Sequence, residues 1–244
     1  TSAKLAFNKR SLSKRNNIQN TYKKFNKIVA VSKGVAESYQ SILQNINIEI
    51  IYNPVDTNKI LELSKCTNRY INKKRVTFIS IGRITEAKGY ERWLKIACKL
   101  INEKFQFDIW IVGGGDDNYL SEYINKNQLK DYIKLWGHQA NPYPFLQIAD
   151  YFICPSYIEG LSTVTIEATI LKKAIIVTDC PGMKEILGDS QYGKIVNNNE
   201  VALYNAIKEI LTNPHIMDSH ITALHKIKNI IKSKKSPVSN NGTF

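Results

Sequence analysis

A chain of 244 residues with 43% hydrophobic side chains holds one domain of common size and part of a second, at the apolar content of a globular protein. No apolar run approaches the roughly 20 residues of a membrane-spanning helix, and residues 1–15 carry charge without the apolar centre of a secretory leader. The formal net charge is +13, and it is unevenly placed.

Residues 1–33 contain nine Lys or Arg and residues 226–235 contain five, with no Asp or Glu in either segment, while the remainder is nearly balanced. Nucleic-acid binding is one reading of such ends. However, no helix-turn-helix, zinc-finger or RNP-type signature accompanies them, and the aromatics do not interleave with the basic runs. An anionic membrane surface or an anionic lipid-linked acceptor fits at least as well. Solvated Lys- and Asn-rich segments are the third reading.

Strands and helices alternate along the chain. Lys27–Val31 reads as a strand, followed by a helix to about Leu43 and a strand at Ile48–Tyr52. A polar stretch, Asn53–Arg75, reads as an irregular connection between lobes. The period is then regular: strand Val76–Ile81, helix Tyr90–Asn102, strand Phe107–Val112, helix Asn118–Asn127 and strand Tyr132–Trp136. A short helix after Pro142 leads to a strand at Tyr151–Cys154. Strand Ala174–Thr178, a helical segment Met183–Leu187 and helix Ala202–Leu211 follow. This alternation predicts an α/β fold with a doubly wound parallel sheet covered on both faces. A polar tail is expected from about Ser233.

Cys66, Cys98, Cys154 and Cys180 stand far apart without a C-x-x-C pair, which points to reduced thiols and away from a disulfide framework or zinc site. His215, His220 and His225 are five apart, a spacing that rotates them around a helix instead of aligning them as ligands. No metal is expected.

Chemistry concentrates where strands end, because ligands of open α/β sheets bind at the carboxyl ends of the strands. Arg83 and Lys88 share the loop Gly82–Gly89 after the Val76–Ile81 strand. A guanidinium fork and an ammonium on one loop suit a diphosphate; two ordinary surface cations are the alternative. Gly113, Gly114 and Gly115 follow the next strand and permit close approach of a backbone to a ligand, but the spacing of a dinucleotide fingerprint is missing. In the loop Trp136-Gly137-His138-Gln139, His138 either faces a base or is structural.

Glu159 and Glu167 flank the run Gly160-Leu161-Ser162-Thr163-Val164. Ser162 or Thr163 is a candidate N-cap, which puts Glu159 in a loop and Glu167 about one turn into a helix. The free amides and dipole of the helix start favour an anion. Two carboxylates beside an anion site suit a ligand with both hydroxyls and phosphates, such as a nucleotide sugar. A solvated Glu159 and a Glu167 that only stabilises the helix start is the alternative.

An ordered set of motifs then resembles a known family. Ile28-Val29-Ala30-Val31-Ser32-Lys33-Gly34-Val35 is followed by Ile51-Tyr52-Asn53-Pro54-Val55-Asp56, Gly82-Arg83 through Lys88-Gly89, and Ile111-Val112-Gly113-Gly114-Gly115. Next come Trp136-Gly137-His138-Gln139-Ala140-Asn141-Pro142-Tyr143, Ala149-Asp150, Pro155-Ser156, Glu159-Gly160 and Glu167-Ala168. Thr178-Asp179-Cys180-Pro181-Gly182, Glu185-Ile186-Leu187 and Gly193 complete it. Each motif alone is weak, but the order and spacing resemble retaining nucleotide-sugar glycosyltransferases of family 4, the group 1 glycosyltransferases with two facing Rossmann-like domains (the GT-B fold). The Asn141-Pro142-Tyr143 and Asp179–Gly182 variants look most like members that build lipopolysaccharide, O-antigen or capsule.

The resemblance implies roles and an organisation. Residues 1–52 would be a remnant of the amino-terminal acceptor domain, 53–75 the connection, 76–212 the Rossmann-like donor-binding domain, and 213–244 a carboxyl-terminal helix and tail. Arg83 and Lys88 would neutralise the diphosphate of a nucleotide sugar, UDP-linked by the family's habit, helped by amides near Ser162, Thr163 and Val164. Glu167 would accept the ribose hydroxyls. Glu159, beside Gly160 and Leu161, would face the donor sugar and stabilise positive charge at the anomeric carbon. Gly113, Gly114 and His138 would line the base side. The implied enzyme is a retaining hexosyltransferase without metal or cofactor, acting on a glycan or lipid-linked acceptor, cytoplasmic and peripheral at the inner face of the membrane. An inactive donor-binding remnant is the second reading, since family members carry a longer amino-terminal part. A nicotinamide-dependent oxidoreductase is the third, and it lacks both its glycine fingerprint and the acid about twenty residues on.

The basic ends generate a prediction. Association with anionic vesicles should fall steeply as salt rises, because exposed charges are screened over about 10 Å at 0.1 M ionic strength and each well-placed cation contributes about 1 kcal/mol at most near the surface. Sedimentation with anionic and zwitterionic vesicles at two salt concentrations checks it; equal partitioning onto both lipids excludes the electrostatic account.

Overall fold

The computed structural model describes residues 12–43, 47–66, 71 and 73–226. Much of the basic sequence at either end, and the tail expected from Ser233, lie outside these residues. The first helix, α1, is Leu12–Tyr22. Strand β1 (Ile28–Ala30), helix α2 (Lys33–Gln40) and strand β2 (Ile48–Ile50) then form a small unit whose two strands pair in parallel, Ile28 opposite Ile48 and Ala30 opposite Ile50.

The stretch expected to be irregular contains a helix, α3 (Thr57–Ser64). Asp56 caps it by accepting the Lys59 amide at 3.0 Å, and Ile60 is its one fully buried side chain. A single apolar anchor gives too weak a period to read from sequence.

The larger unit alternates β3 (Thr77–Ile81), α4 (Tyr90–Asn102), β4 (Asp108–Val112), α5 (Asn118–Lys126), β5 (Ile133–Leu135), α6 (Tyr143–Ile148) and β6 (Tyr151–Cys154). It continues with α7 (Thr163–Ile170), β7 (Ala174–Thr178), α8 (Met183–Leu187), β8 (Lys194–Val196), α9 (Glu200–Thr212) and α10 (Asp218–Lys226). A 3-10 turn at Glu86–Lys88 precedes α4 and another at Pro214–Met217 precedes α10. Bounds for α4, β7 and α8 match the expectation. Strand β8 was not foreseen, because three residues in a polar setting carry no readable alternation.

The six strands form one parallel sheet in the order β5-β4-β3-β6-β7-β8. Alternation along a strand sends neighbouring residues to opposite faces. Phe78, Ile109, Ile111 and Ile176 join one cluster with Trp93, Leu94 and Leu100 of α4, Leu120 of α5 and Leu203 and Ile207 of α9. Ile79, Trp110, Val112, Ile175 and Val177 join the other, with Ile60, Phe145, Ile166, Met183 and Leu224. Helices α4, α5 and α9 therefore cover one face and α3, α6, α7 and α8 the other, while α10 reaches both, Ile221 packing on the first cluster and Leu224 on the second. No helix among the described residues is long and apolar enough to cross a membrane.

Strands β3 and β6 are where the winding reverses. They share two register pairs, Phe78 with Tyr151 and Ile79 with Phe152, and beyond these the Ser80 hydroxyl bridges by donating to the Ile153 carbonyl at 2.9 Å. The chain leaves β3 toward one face and β6 toward the other, so a crevice opens at their carboxyl ends.

The small unit docks near this crevice through the start of α2. Ser32 caps that helix, accepting the Val35 amide and donating to the Gly160 carbonyl at 2.9 Å. The Glu185 carboxylate of α8 accepts the Lys33 amide at 3.0 Å, the Gly34 amide at 2.8 Å and the Tyr52 hydroxyl at 2.9 Å. A carboxylate at a helix start also meets the positive end of its dipole. Glu185→Ala is therefore expected to lower unfolding free energy by about 2–3 kcal/mol, since water recovers part of the charge-assisted bonds. Urea unfolding checks this, and a loss below about 0.5 kcal/mol removes Glu185 as the main tie.

Candidate functional site

Loops after β3, β4, β5 and β6 meet at the crevice and carry nearly every residue singled out by sequence. A cavity of about 430 Å³ is lined by Gly82, Arg83, Gly113, Gly114, His138 and Gln139, among others. Arg83 and His138 are exposed at its rim. Gly113 lines the cavity and also meets a packing requirement. A Cβ there would lie 1.9 Å from the Gly82 carbonyl oxygen, so glycine is required to seat the β4 loop on the β3 loop. Gly114 faces the cavity side, where its Cβ would sit 3.4 Å from His138 Cβ.

Lys88 does not line that cavity. Its ammonium lies 2.5 Å from Glu159 Oε1, joining the loops that leave β3 and β6 across the crevice. Both side chains are largely buried, 27% and 10% exposed, so this pair is less screened than a surface ion pair. Glu159 Oε1 also accepts the Ser156 hydroxyl at 2.8 Å, with the Cys154 thiol 3.7 Å away. Burial, with the Glu159 charge second, pushes the Cys154 thiol up and keeps it protonated. The partners of Glu159 are 71 and three residues away in sequence. Ser156 was quoted as part of a motif, but no spacing rule marked it as a donor.

Helix α7 begins as expected. Ser162 is the cap, its hydroxyl oxygen accepting the Thr165 amide at 3.3 Å and the Thr165 hydroxyl at 2.9 Å. The first turn of a helix leaves amides without partners inside the helix, and Thr163 and Val164 occupy that turn. Leu161, just before the cap, packs against the apolar cluster beneath. Gly160 presents its carbonyl to Ser32.

Glu167 stands one turn into α7, where the Tyr143 hydroxyl donates to its Oε1 at 3.3 Å. Burial holds its carboxyl up at about 7, and the weaker Tyr143 hydrogen bond opposes this. Tyr143 is a site residue that sequence reading left without a role. Its motif, Asn141-Pro142-Tyr143, was visible, but the pairing with a carboxylate 24 residues away was not.

The crevice can thus accept an anion at cationic and helix-start groups while offering two carboxylates to hydroxyl donors. The sequence model of the family described as glycosyl transferases group 1 matches residues 67–232. An uncharacterized glycosyltransferase of Methanocaldococcus jannaschii is 37% identical over 164 residues, covering 64% of this chain and 40% of the relative. The N-acetylgalactosamine-N,N'-diacetylbacillosaminyl-diphospho-undecaprenol 4-alpha-N-acetylgalactosaminyltransferase of Campylobacter jejuni is 28% identical over 203 residues, covering 78% and 52%. The chain thus spans about half the length of the curated relatives it matches, or less. Among solved structures, Anabaena HepE in complex with UDP superposes with a TM-score of 0.70 at 14% identity, covering 89% of this chain and 63% of that one, a likeness of fold.

The buried carboxyl generates a pH prediction. Its folded pKa lies above its unfolded value of 4.5, so the stability it contributes is complete below 4.5 and is lost as pH rises to about 7. Glu167→Gln stays neutral throughout. Its melting temperature relative to wild type should rise by about 5–10 °C between pH 5 and pH 8, the response of a domain this size to roughly 2–3 kcal/mol. Scanning calorimetry at both values checks it; a constant difference refutes the raised carboxyl.

Proposed function

We propose, for a chain that belongs to the glycosyl transferases group 1 family, that it forms the donor-binding half of a retaining glycosyltransferase. The donor is a nucleotide-diphosphate sugar, UDP-linked, and the acceptor a growing surface glycan or lipid-linked sugar of lipopolysaccharide, O-antigen or capsule synthesis. The observation that carries this reading is the Lys88–Glu159 pair across the reversal point of the sheet, beside a glycine-walled cavity. A cation and a carboxylate are already desolvated where a phosphate and a sugar hydroxyl would lie side by side. The UDP complex of a protein with this fold supports a nucleotide ligand, and the undecaprenol-linked acceptor in the Campylobacter relative's name supports a lipid-linked one.

In this reading the base enters the cavity lined by Gly114 and His138, and the ribose hydroxyls donate to Glu167. Those hydrogen bonds favour its ionised form, so a group that titrates at about 7 when unliganded becomes the acceptor the ribose needs. The diphosphate takes the Lys88 ammonium, the Arg83 guanidinium and the amides of Thr163 and Val164. When the bond between anomeric carbon and phosphate oxygen breaks, its electron pair passes to the departing diphosphate, whose charge these preorganised cations and dipoles stabilise. Glu159 holds a sugar hydroxyl and stabilises positive charge at the anomeric carbon. The acceptor oxygen bonds to that carbon on the same face, and its proton moves to the leaving phosphate oxygen.

The second reading is donor binding without transfer. Incubation with UDP-sugar separates the two, since a protein that binds the donor but neither hydrolyses nor transfers it is a binding module.

The clamp itself is testable. Replacing Lys88 or Arg83 by Ala should weaken UDP binding by about 1–3 kcal/mol, the worth of charge-assisted contacts, and leave uridine nearly unaffected. Calorimetry with both ligands measures this, and equal losses for UDP and uridine contradict a phosphate role.

A further inference from the structure

Arg92 lies in the first turns of α4 and is 1% exposed. Among the described residues no carboxylate lies within ion-pair distance of it. Leaving a guanidinium buried without a counter-ion costs several kcal/mol unless hydrogen bonds replace its hydration, and here they do. Its Nε donates to the Pro155 carbonyl at 2.7 Å and its Nη2 to the Ser156 carbonyl at 2.6 Å and to Thr178 Oγ1 at 3.4 Å. Its Nη1 donates to Asn198 Oδ1 at 2.8 Å, and its carbon centre lies 4.0 Å from the centroid of the Tyr157 ring. One planar fork thus gathers the carboxyl ends of β6, β7 and β8 onto the start of α4. A lysine, with one nitrogen, cannot reach all of these acceptors.

What these acceptors lead to is specific. Ser156, whose carbonyl Arg92 holds, is also the residue whose hydroxyl donates to Glu159. Pro155, whose carbonyl takes Arg92 Nε, is also packed by Gly89, the residue after Lys88. Gly89 has φ +67°, and a Cβ there would lie 2.0 Å from the Pro155 oxygen. The Tyr157 amide donates to the Ala87 carbonyl at 2.8 Å, immediately before Lys88. Thr178 completes the arrangement by donating its hydroxyl to the Ser156 carbonyl at 2.6 Å. The loop bearing Lys88 and the loop bearing Glu159 therefore share one anchor.

We propose that Arg92 is a positioning residue for the donor site: through the Pro155 and Ser156 carbonyls it fixes the spacing of Lys88 and Glu159, and so sets recognition of the sugar-diphosphate portion without touching it. This rests on the nucleotide-sugar reading of the crevice. The base side, at Gly114 and His138, is carried by the loops after β4 and β5, whereas Arg92 holds the loop after β6.

The experiment compares UDP with uridine by calorimetry on the full 244-residue chain. Arg92→Lys should leave uridine affinity within about twofold and lower the UDP-to-uridine affinity ratio about tenfold, since small misplacements of positioned groups are costly. In a Lys88→Ala background the same substitution should cost less than about twofold more, because it acts through Lys88. Thr178→Val keeps the side-chain volume and removes only the hydroxyl, and it should lower the same ratio by about threefold; it tests the idea even where Arg92→Lys fails to fold. Equal losses of UDP and uridine, or additive losses with Lys88→Ala, make Arg92 a stability residue only and overturn the proposal. An unchanged ratio in the variants that fold overturns it as well. A wild-type protein that binds neither ligand instead overturns the nucleotide reading beneath it.

Discussion

The parting of β3 and β6 is the constraint on which the site depends. Parallel strands need crossovers, and crossovers that leave two adjacent strands toward opposite faces cannot close the gap between them. The ladder stops after Ile79 and Phe152, and beyond it the two loops meet through backbone at the Ala87 carbonyl, which accepts the Tyr157 amide. Side chains supply the other ties. Ser80 bridges first, then Arg92 collects carbonyls, and Lys88 meets Glu159 at the rim. Polar groups are thus drawn inward because the topology leaves backbone there to be satisfied. The same groups are then available to a ligand.

The electrostatics of the crevice follow one pattern, in which carboxylates are kept from presenting bare negative charge. Glu159 is matched by Lys88 and by the Ser156 hydroxyl. Glu167 is held near neutrality by burial. Glu185, the third acid close by, is turned away onto the amides of Lys33 and Gly34. An anionic ligand would be repelled by three free carboxylates in a partly dry crevice far more than in water. With the acids paired, partly protonated or diverted, Arg83 at the rim and the α7 amides set the field that an approaching anion meets. In the proposed reading, the carboxylates become useful when hydroxyl groups of the same ligand arrive to hydrogen-bond them.

Much of this fold was legible in the sequence because buried parallel strands are near-continuous apolar runs. Phe107–Val112 and Ala174–Thr178 could hardly be anything else. Helix α4 announced itself through Trp93, Leu94, Ala97 and Leu100, all at 0% exposure on one stripe. The loops were legible for a different reason, since glycines and charges cluster where strands end. Illegible features share a cause: each depends on contacts between distant positions. Arg92 reads as one more cation on a helix until the fold brings Pro155, Thr178 and Asn198 around it. Gly113 reads as a ligand-facing glycine, whereas the obstacle to a side chain there is the carbonyl of Gly82. Strand β8 is defined by pairing with β7 through three positions and has little pattern of its own.

The loop from Pro155 to Ser162 shows how separate elements come to act on one carboxylate. At its start it is held from α4, through Arg92 on two successive carbonyls. Its middle is held from the β3 loop, through Ala87 on the Tyr157 amide and Lys88 on Glu159. At Gly160 it is held from the small unit, by the Ser32 hydroxyl. Its end is fixed by Ser162 as the cap of α7. Four attachments over eight residues leave the backbone little conformational freedom, so the ordering entropy of Glu159 is met on folding instead of on binding. In the role proposed for Glu159, meeting positive charge as it develops, such preorganisation matters most, because no loop has to be ordered at the moment of reaction.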